Sequence, residues 1–395
     1  MTPAARVQAA IEILDAVIAE ALRGGAPADR VIVEWFRTRR FAGSGDRRAV
    51  RDLVFRAIRA CGPVPVSGRA AMLRLAEGDP AVAGLFDGSR HGPAVVVPGE
   101  AVAEGGLAPA WLAGRLAASG VEGAALAGRA ALDVRVNVAR VLPEVLVLPE
   151  AGLAVWPEVL PAARRFAAGT GVEAWDAYAA GLIEVQDAGS QLAAKAVAAV
   201  PGETVVDLCA GAGGKTLALA ADMSAGGGFR GRLVACDADR ARLARLGPRA
   251  ERAGVVVETR LLDGGREGEG LADLAGVADA VLVDAPCSGT GTWRRNPEAR
   301  WRLSPRELER VCGLQARLMD VGAELVRPGG RLVFVTCSLL DEEGAGAFAA
   351  FLARSGWAAE AFLPGVGEAR GAGLRLSPAR DDCDGFFIAV ARRTC

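Results

Sequence analysis

Histidine is almost missing from this 395-residue sequence: His91 is the only one, in the Gly/Pro-rich stretch Gly88-Ser-Arg-His-Gly-Pro93. Chemistry that relies on imidazole as a base or zinc ligand has almost nothing to work with, and His91 reads as a solvent-facing loop residue. Lysine is nearly as scarce. Lys195 and Lys215 are the only two, with arginine supplying the remaining positive charge, so a retained lysine is worth following. No uninterrupted apolar run reaches the ~18 residues of a membrane span. The start, Met1-Thr-Pro-Ala-Ala-Arg6, lacks the apolar core of a signal peptide. The 8 cysteines show neither disulfide nor zinc spacing. Together these absences point to a cytoplasmic protein with reduced thiols, no membrane association and no metal. A formal net charge of −1 gives no global attraction to nucleic acid, so any RNA contact has to come from local patches.

What is present is an ordinary globular composition, 51% hydrophobic and 24% charged, long enough for two or three domains. Residues 1–75 read as helical: Val7, Ile11, Leu14, Ile18 and Leu22 recur at helical spacing, and Gly24-Gly25 closes the segment. Between Asp29 and Arg59, nine arginines, Arg47 and Arg48 among them, face four acids. That surplus fits either a solvated helical face or a phosphate-contacting surface. Residues 76–129 are low in pattern and read as a connector with a helical linker. Residues 130–185 read as a small α+β module, in which Asp133-Val-Arg135-Val-Asn137-Val alternates as a half-buried strand does.

From residue 186 onward strands alternate with helices, which predicts a parallel, doubly wound sheet. Strands are expected at 204–208, 232–236, 255–262, 280–283, 331–335 and 385–391, and a helix from Ser304 with a complete start signal, Ser304-Pro305-Arg-Glu307. Ligands of such sheets bind beyond the carboxyl ends of the strands. Three stretches put chemistry there. Val205-Val-Asp207-Leu-Cys209-Ala-Gly211-Ala-Gly213-Gly214-Lys215-Thr216 is a strand, a glycine loop and a helix start; it is not a Walker loop, because the glycine spacing is wrong. The next two strands end in Asp237 and Asp263, placed to hold a ribose and an exocyclic amine, so a nucleoside cofactor is expected across the strand ends. Val281-Leu-Val-Asp284-Ala-Pro286-Cys287-Ser-Gly-Thr-Gly291 then delivers a carboxylate and a thiol onto a loop, and Val335-Thr336-Cys337-Ser338 delivers a second thiol. A free thiol is mostly protonated at neutral pH and needs help to act as a nucleophile. A helix expected near Asp341 would favour a Cys337 thiolate, while Asp341, Glu342 and Glu343 would oppose it.

These residues, with Gln186-Asp187-Ala-Gly-Ser190-Gln191 and Asp384-Gly385-Phe386-Phe387, resemble in order, over about residues 130–392, the motif set of the RsmB/NOP family of RNA cytosine-5 methyltransferases. Two strand-end cysteines in these settings distinguish that family from the DNA cytosine methyltransferases, which use one. The resemblance implies a Rossmann-like α/β methyltransferase domain over 186–395, with a mostly parallel seven-stranded sheet and helices on both faces. An RNA-recognition-like α+β subdomain would precede it and, more loosely, an all-α NusB-like RNA-binding domain would stand at the N-terminus, where Asp46-Arg47-Arg48-Ala-Val-Arg51 lies.

The cofactor it implies is S-adenosylmethionine, held by Cys209, Ala210, Gly211, Gly213, Gly214, Lys215, Asp237, Asp263 and Asp284. Cys337 would attack carbon 6 of the target cytosine, Asp284 would protonate the ring nitrogen, and Cys287 would assist removal of the carbon-5 proton. The substrate implied is ribosomal RNA, small-subunit in the first instance, with the cytosine single-stranded or flipped. Transfer RNA, or a non-catalytic assembly role, are the alternatives. Arg135 and Asn137, and Arg294, Arg295 and Arg300 interleaved with Trp293 and Trp301, are candidate RNA contacts; the latter group also reads as a loop with two packed tryptophans. A monomer is expected. One departure is that Gly211-Ala212 stand where the family usually has Ala-Pro, which loosens the loop backbone.

Overall fold

The first helix, α1 (Pro3–Leu22), begins where the sequence signals it: Thr2 Oγ1 accepts from the Ala5 N–H at 3.2 Å and Pro3 fills the first helical position. Val7, Ile11, Leu14 and Ile18 are buried, whereas Leu22 at the helix end is exposed. With α2 (Ala28–Arg37), α3 (Ser44–Ala60) and α4 (Gly68–Gly78), it encloses a core that includes Phe36, Val54, Ile58 and Met72. In this computed structural model, which describes residues 1–225 and 227–394, the chain forms two compact units. The helical unit comprises residues 1–128 together with residues 292–305.

That differs from the expected boundaries. Val82, Phe86 and Ala103 from the presumed connector, and Trp301 from far along the chain, are buried in the same core. A low-pattern segment became core because a few well-spaced apolar side chains suffice to bury it.

The second unit comprises residues 129–291 and 306 onward. Its small antiparallel sheet holds β1 (Leu132–Val136), β2 (Leu153–Ala154), β3 (Ala163–Phe166) and β4 (Ile183–Val185) in the order β2-β3-β1-β4. The large sheet contains β5 (Thr204–Asp207), β6 (Arg232–Asp237), β7 (Glu258–Leu261), β8 (Ala278–Asp284), β9 (Val326–Thr336), β10 (Ala358–Glu360), β11 (Glu368–Arg370), β12 (Gly373–Leu376) and β13 (Phe386–Arg392). Its order is β7-β6-β5-β8-β9-β13-β12-β11, with β10 on β13.

The first five of these strands pair in parallel and β13 runs antiparallel to β9, from Phe387 opposite Thr336 to Arg392 opposite Arg331. Among the described residues this is a Rossmann-like α/β sheet with nine strands in place of the expected seven; the three-residue β10 and β11 are too short to leave a pattern. Alternate residues enter cores on opposite faces, Val205, Leu282 and Val333 on one and Val206, Val281 and Phe334 on the other. Both faces are covered, which is why β8 reads as a continuous apolar run. Strand order reverses between β5 and β8, so the ligand crevice is expected at their carboxyl ends.

Candidate active site

β5 ends in Asp207, and the chain turns through Gly211 (φ +56°) and Gly213 (φ +86°) into the helix Gly214–Asp222. Both φ values lie where side chains are strained, and a Cβ on Gly213 would sit 2.1 Å from Leu246 Cδ1. The end of β6 holds this loop: the Gly211 N–H donates to Asp237 Oδ2 and the Asp239 N–H to Oδ1, each at 2.7 Å. Asp207 is fully buried and accepts from Thr216 Oγ1 at 2.6 Å. Burial pushes its pKa up to about 7, against the pull of the Thr216 bond. Asp263, beyond β7, is exposed and paired with Arg266 at 2.5 Å, so only its place in the chain associates it with the loop.

Lys215, the lysine singled out by its scarcity, donates to Asp284 Oδ2 at 2.7 Å and so bridges β5 and β8 at the switch point. Burial works against its charge, but the Asp284 carboxylate outweighs this and holds the pKa above the usual lysine value. The sequence reading assigned Lys215 to the cofactor and did not foresee this pair.

β8 and β9 are parallel neighbours, with Asp284 opposite Val335, so the loops that follow them run side by side. The Cys287 and Cys337 Sγ atoms consequently lie 3.3 Å apart. The hydrogen bond with Cys337, reinforced by burial, pushes the Cys287 thiol well above its ordinary pKa. The Gly291 N–H donates to the Cys337 carbonyl at 3.0 Å, and the Gly385 N–H to the Gly291 carbonyl at 2.9 Å. Only glycine fits at 291, since a Cβ there would come within 2.2 Å of the Gly385 oxygen.

Two expectations about Cys337 change. The α-helix begins only at Ala345, after a 3₁₀ turn at Asp341–Glu343, so its N-terminus does not directly follow the thiol. Glu343, expected to oppose a thiolate, is fully buried and accepts hydrogen bonds from Ser288 and Ser338, the residues just after the two cysteines. Sequence reasoning missed this role; the two serines at matching positions were the available signal.

The expected RNA contacts divide. Arg135 and Asn137 are buried: Arg135 Nε donates to Gln186 Oε1 at 2.9 Å, and Asn137 Nδ2 to the Gly181 and Ala253 carbonyls at 3.0 Å. Burial lowers the Arg135 pKa to about 10. Arg300 is 1% exposed and donates to the Ile58 and Cys61 carbonyls at the end of α3, both at 2.6 Å, while Arg294 is 7% exposed. Trp293 and Trp301 are buried with them. Buried in this way, the side chains of Arg135, Asn137, Arg294 and Arg300 do not present themselves to RNA, which corrects the expectation for them. Arg47 and Arg48 are exposed, and Arg295 is half-buried.

Residues 194–392 match the family described as 16S rRNA methyltransferase RsmB/F. The chain belongs to the RsmB/F methyltransferase family. The chain is 35% identical over 307 residues to ribosomal RNA small subunit methyltransferase B of Xanthomonas campestris, covering 73% of this chain and 67% of that one. It is 40% identical over 217 residues to the protein of the same name from Thermus thermophilus, covering 53% and 50%. The chain thus spans about half to two thirds of the length of these RsmB/F relatives. Among solved structures, a methyltransferase homolog protein from Pyrococcus horikoshii superposes with a TM-score of 0.59 at 27% identity, covering 69% of this chain and 89% of that one. The RsmB/F match includes both thiols, Asp284 and the glycine loop.

Proposed function

We propose that this protein transfers a methyl group from S-adenosylmethionine to carbon 5 of a cytosine in RNA, specifically small-subunit ribosomal RNA, in the cytoplasm. The observation that carries this reading is the pair of thiols 3.3 Å apart at neighbouring strand ends, beside the Lys215–Asp284 pair. Carbon 5 of cytosine is a poor nucleophile until a group adds to carbon 6, so the reaction calls for one nucleophile and one base at the same edge of the ring.

S-adenosylmethionine supplies an electrophilic methyl group. The residues present suit it: the loop from Cys209 through Ala210, Gly211, Gly213 and Gly214 turns into the N-terminus of the helix Gly214–Asp222, where the space beside Gly214 is open to the amino-acid part. Asp237 stands at the strand end suited to the ribose, and Asp263 at the next, suited to the adenine amine.

The chain's own residues do the rest. Cys337, its thiol proton released to solvent, bonds through Sγ to carbon 6, the displaced electron pair moves through the ring to its N3, and the Lys215 ammonium passes a proton to N3 through the Asp284 carboxylate. Once carbon 5 is methylated and S-adenosylhomocysteine is left, Cys287, its own proton released to solvent, takes the carbon-5 proton, the carbon 6–sulfur bond breaks with its electrons returning to Cys337, and N3 returns its proton through Asp284 to Lys215. The hydrogen bond with Cys337 is the first of the causes that favour the protonated Cys287 thiol, and it is lost when Cys337 Sγ bonds to carbon. The base must leave its stack to reach this crevice.

Incubation with isotopically labelled S-adenosylmethionine and unmodified small-subunit ribosomal RNA, followed by nucleoside analysis, tests the reading. Labelled 5-methylcytosine is expected. Cofactor binding with no label in any RNA offered would overturn it.

A further inference from the structure

Glu343 has no part in the chemistry above, yet few groups in the second unit are so completely engaged. Its carboxylate is fully buried and has no ion-pair partner among the described residues. Hydrogen bonds compensate for it instead: Oε1 accepts from the Ser288 N–H at 2.8 Å and Gln315 Nε2 at 3.0 Å, and Oε2 accepts from Ser338 Oγ at 2.6 Å and from Ser288 Oγ. A buried carboxylate without a counter-ion persists only where donors surround it, and losing one leaves a costly charge.

The location of those donors is informative. Ser288 follows Cys287 and Ser338 follows Cys337, so one carboxylate grips both thiol-bearing loops at the residue next to the thiol. Gln315 extends the grip by donating also to the Pro286 carbonyl, on the other side of Cys287, at 3.0 Å. Thr290 closes the ring, with Oγ1 3.1 Å from Ser338 Oγ and accepting from the Leu339 N–H at 2.8 Å. Glu343 is itself anchored near Cys337, because its carbonyl accepts from Thr336 Oγ1 at 3.1 Å.

We propose that Glu343 is a positioning residue, a buried carboxylate that staples the two thiol-bearing loops together and sets the spacing of Cys287 and Cys337. The inference rests on the reading of the two thiols as nucleophile and base. A reaction that uses two sulfurs on one ring is sensitive to their separation, and displacements of about 1 Å in such groups cost around a hundredfold in rate. Aspartate keeps the charge but lacks the reach to span both serines, while glutamine keeps the reach but turns one acceptor into a donor.

The test compares wild-type protein with Glu343→Asp, Glu343→Gln and Ser338→Ala. Two readouts are followed: methyl transfer to RNA, and closure of the Cys287–Cys337 disulfide by diamide without RNA or cofactor. In the second, the two thiols are oxidised and diamide takes up their hydrogens, and mass spectrometry of the linked peptides gives the rate. Glu343→Asp is expected to lower kcat about tenfold or more while the RNA KM and the affinity for S-adenosylhomocysteine stay within about twofold, and to slow disulfide closure by a similar factor. Ser338→Ala, which removes one bond with little change in volume, should move both readouts the same way by less, and Glu343→Gln should fall between the two. Wild-type kcat and closure rates in all three variants would overturn the proposal. So would a loss of activity with unchanged closure. Disulfide closure needs no RNA, so a wild-type protein that makes no 5-methylcytosine would remove the reaction assignment and still leave the staple measurable.

Discussion

At the ends of β5 and β6 the functional loop is held through its backbone, whereas at the ends of β8 and β9 it is held through side chains. Gly211 and Gly213 adopt conformations strained for other residues, and Asp237 fixes the loop by accepting from two backbone N–H groups. The thiol loops are joined by hydroxyls, an amide and a buried carboxylate. The difference fits what each side would handle in the proposed reaction. A cofactor can be gripped by an open backbone at a helix N-terminus, but two reacting sulfurs have to be located to a fraction of an ångström, which a closed side-chain network does better. It also accounts for Gly211-Ala212: a glycine at positive φ is what the observed turn needs, so the departure from Ala-Pro is compatible with a defined loop.

The largest effect should come from the thiol side. Cys337→Ala is expected to lower methyl transfer by at least about 10³-fold while leaving S-adenosylhomocysteine binding intact in titration calorimetry, because the proposed nucleophile belongs to one side only. Wild-type turnover in this variant would remove Cys337 from its role.

On the backbone side, Gly213→Ala forces a Cβ onto Leu246 and should weaken S-adenosylhomocysteine about tenfold, with diamide closure of the thiol pair unchanged. Equal damage to both readouts would show that the two sides are not separately built.

A prediction of a different kind, on stability, concerns Asp207. Its folded pKa of about 7 lies above the ~3.9 of an unfolded aspartate, so between those values the folded state binds more protons. Its contribution to stability is therefore greatest at low pH and declines as pH rises from about 4 to about 7, by up to roughly 4 kcal/mol. Asp207→Asn keeps an acceptor for Thr216 and removes the titration. Compared with wild type, its Tm should gain at pH 8 over pH 5; an unchanged difference would contradict the assignment.

The same contrast explains what could be read in the sequence. Strand ends, the glycine loop and both thiols were legible because each is local: an apolar run, then a turn, then a reactive group. The buried arginines were not. Arg135, Arg294 and Arg300 read as RNA contacts, since a guanidinium in a sequence does not reveal whether its acceptor belongs to RNA or, as for Arg300, is one of the carbonyls at the end of a helix 239 and 242 residues earlier. Trp293 and Trp301 beside them were a sign of burial as much as of base stacking. Glu343 was misread for a related reason: next to Asp341 and Glu342 it looked like one more repelling charge, and only the pairing of β8 with β9 brings Ser288 to it.

The most direct test of the account is the division of labour between the thiols. Denaturing gel electrophoresis of Cys287→Ala incubated with RNA and S-adenosylmethionine should show a covalent protein–RNA adduct that fails to resolve, because the carbon-5 proton is not removed, with none in Cys337→Ala. An adduct that accumulates in Cys337→Ala and not in Cys287→Ala would reverse the roles and contradict the mechanism.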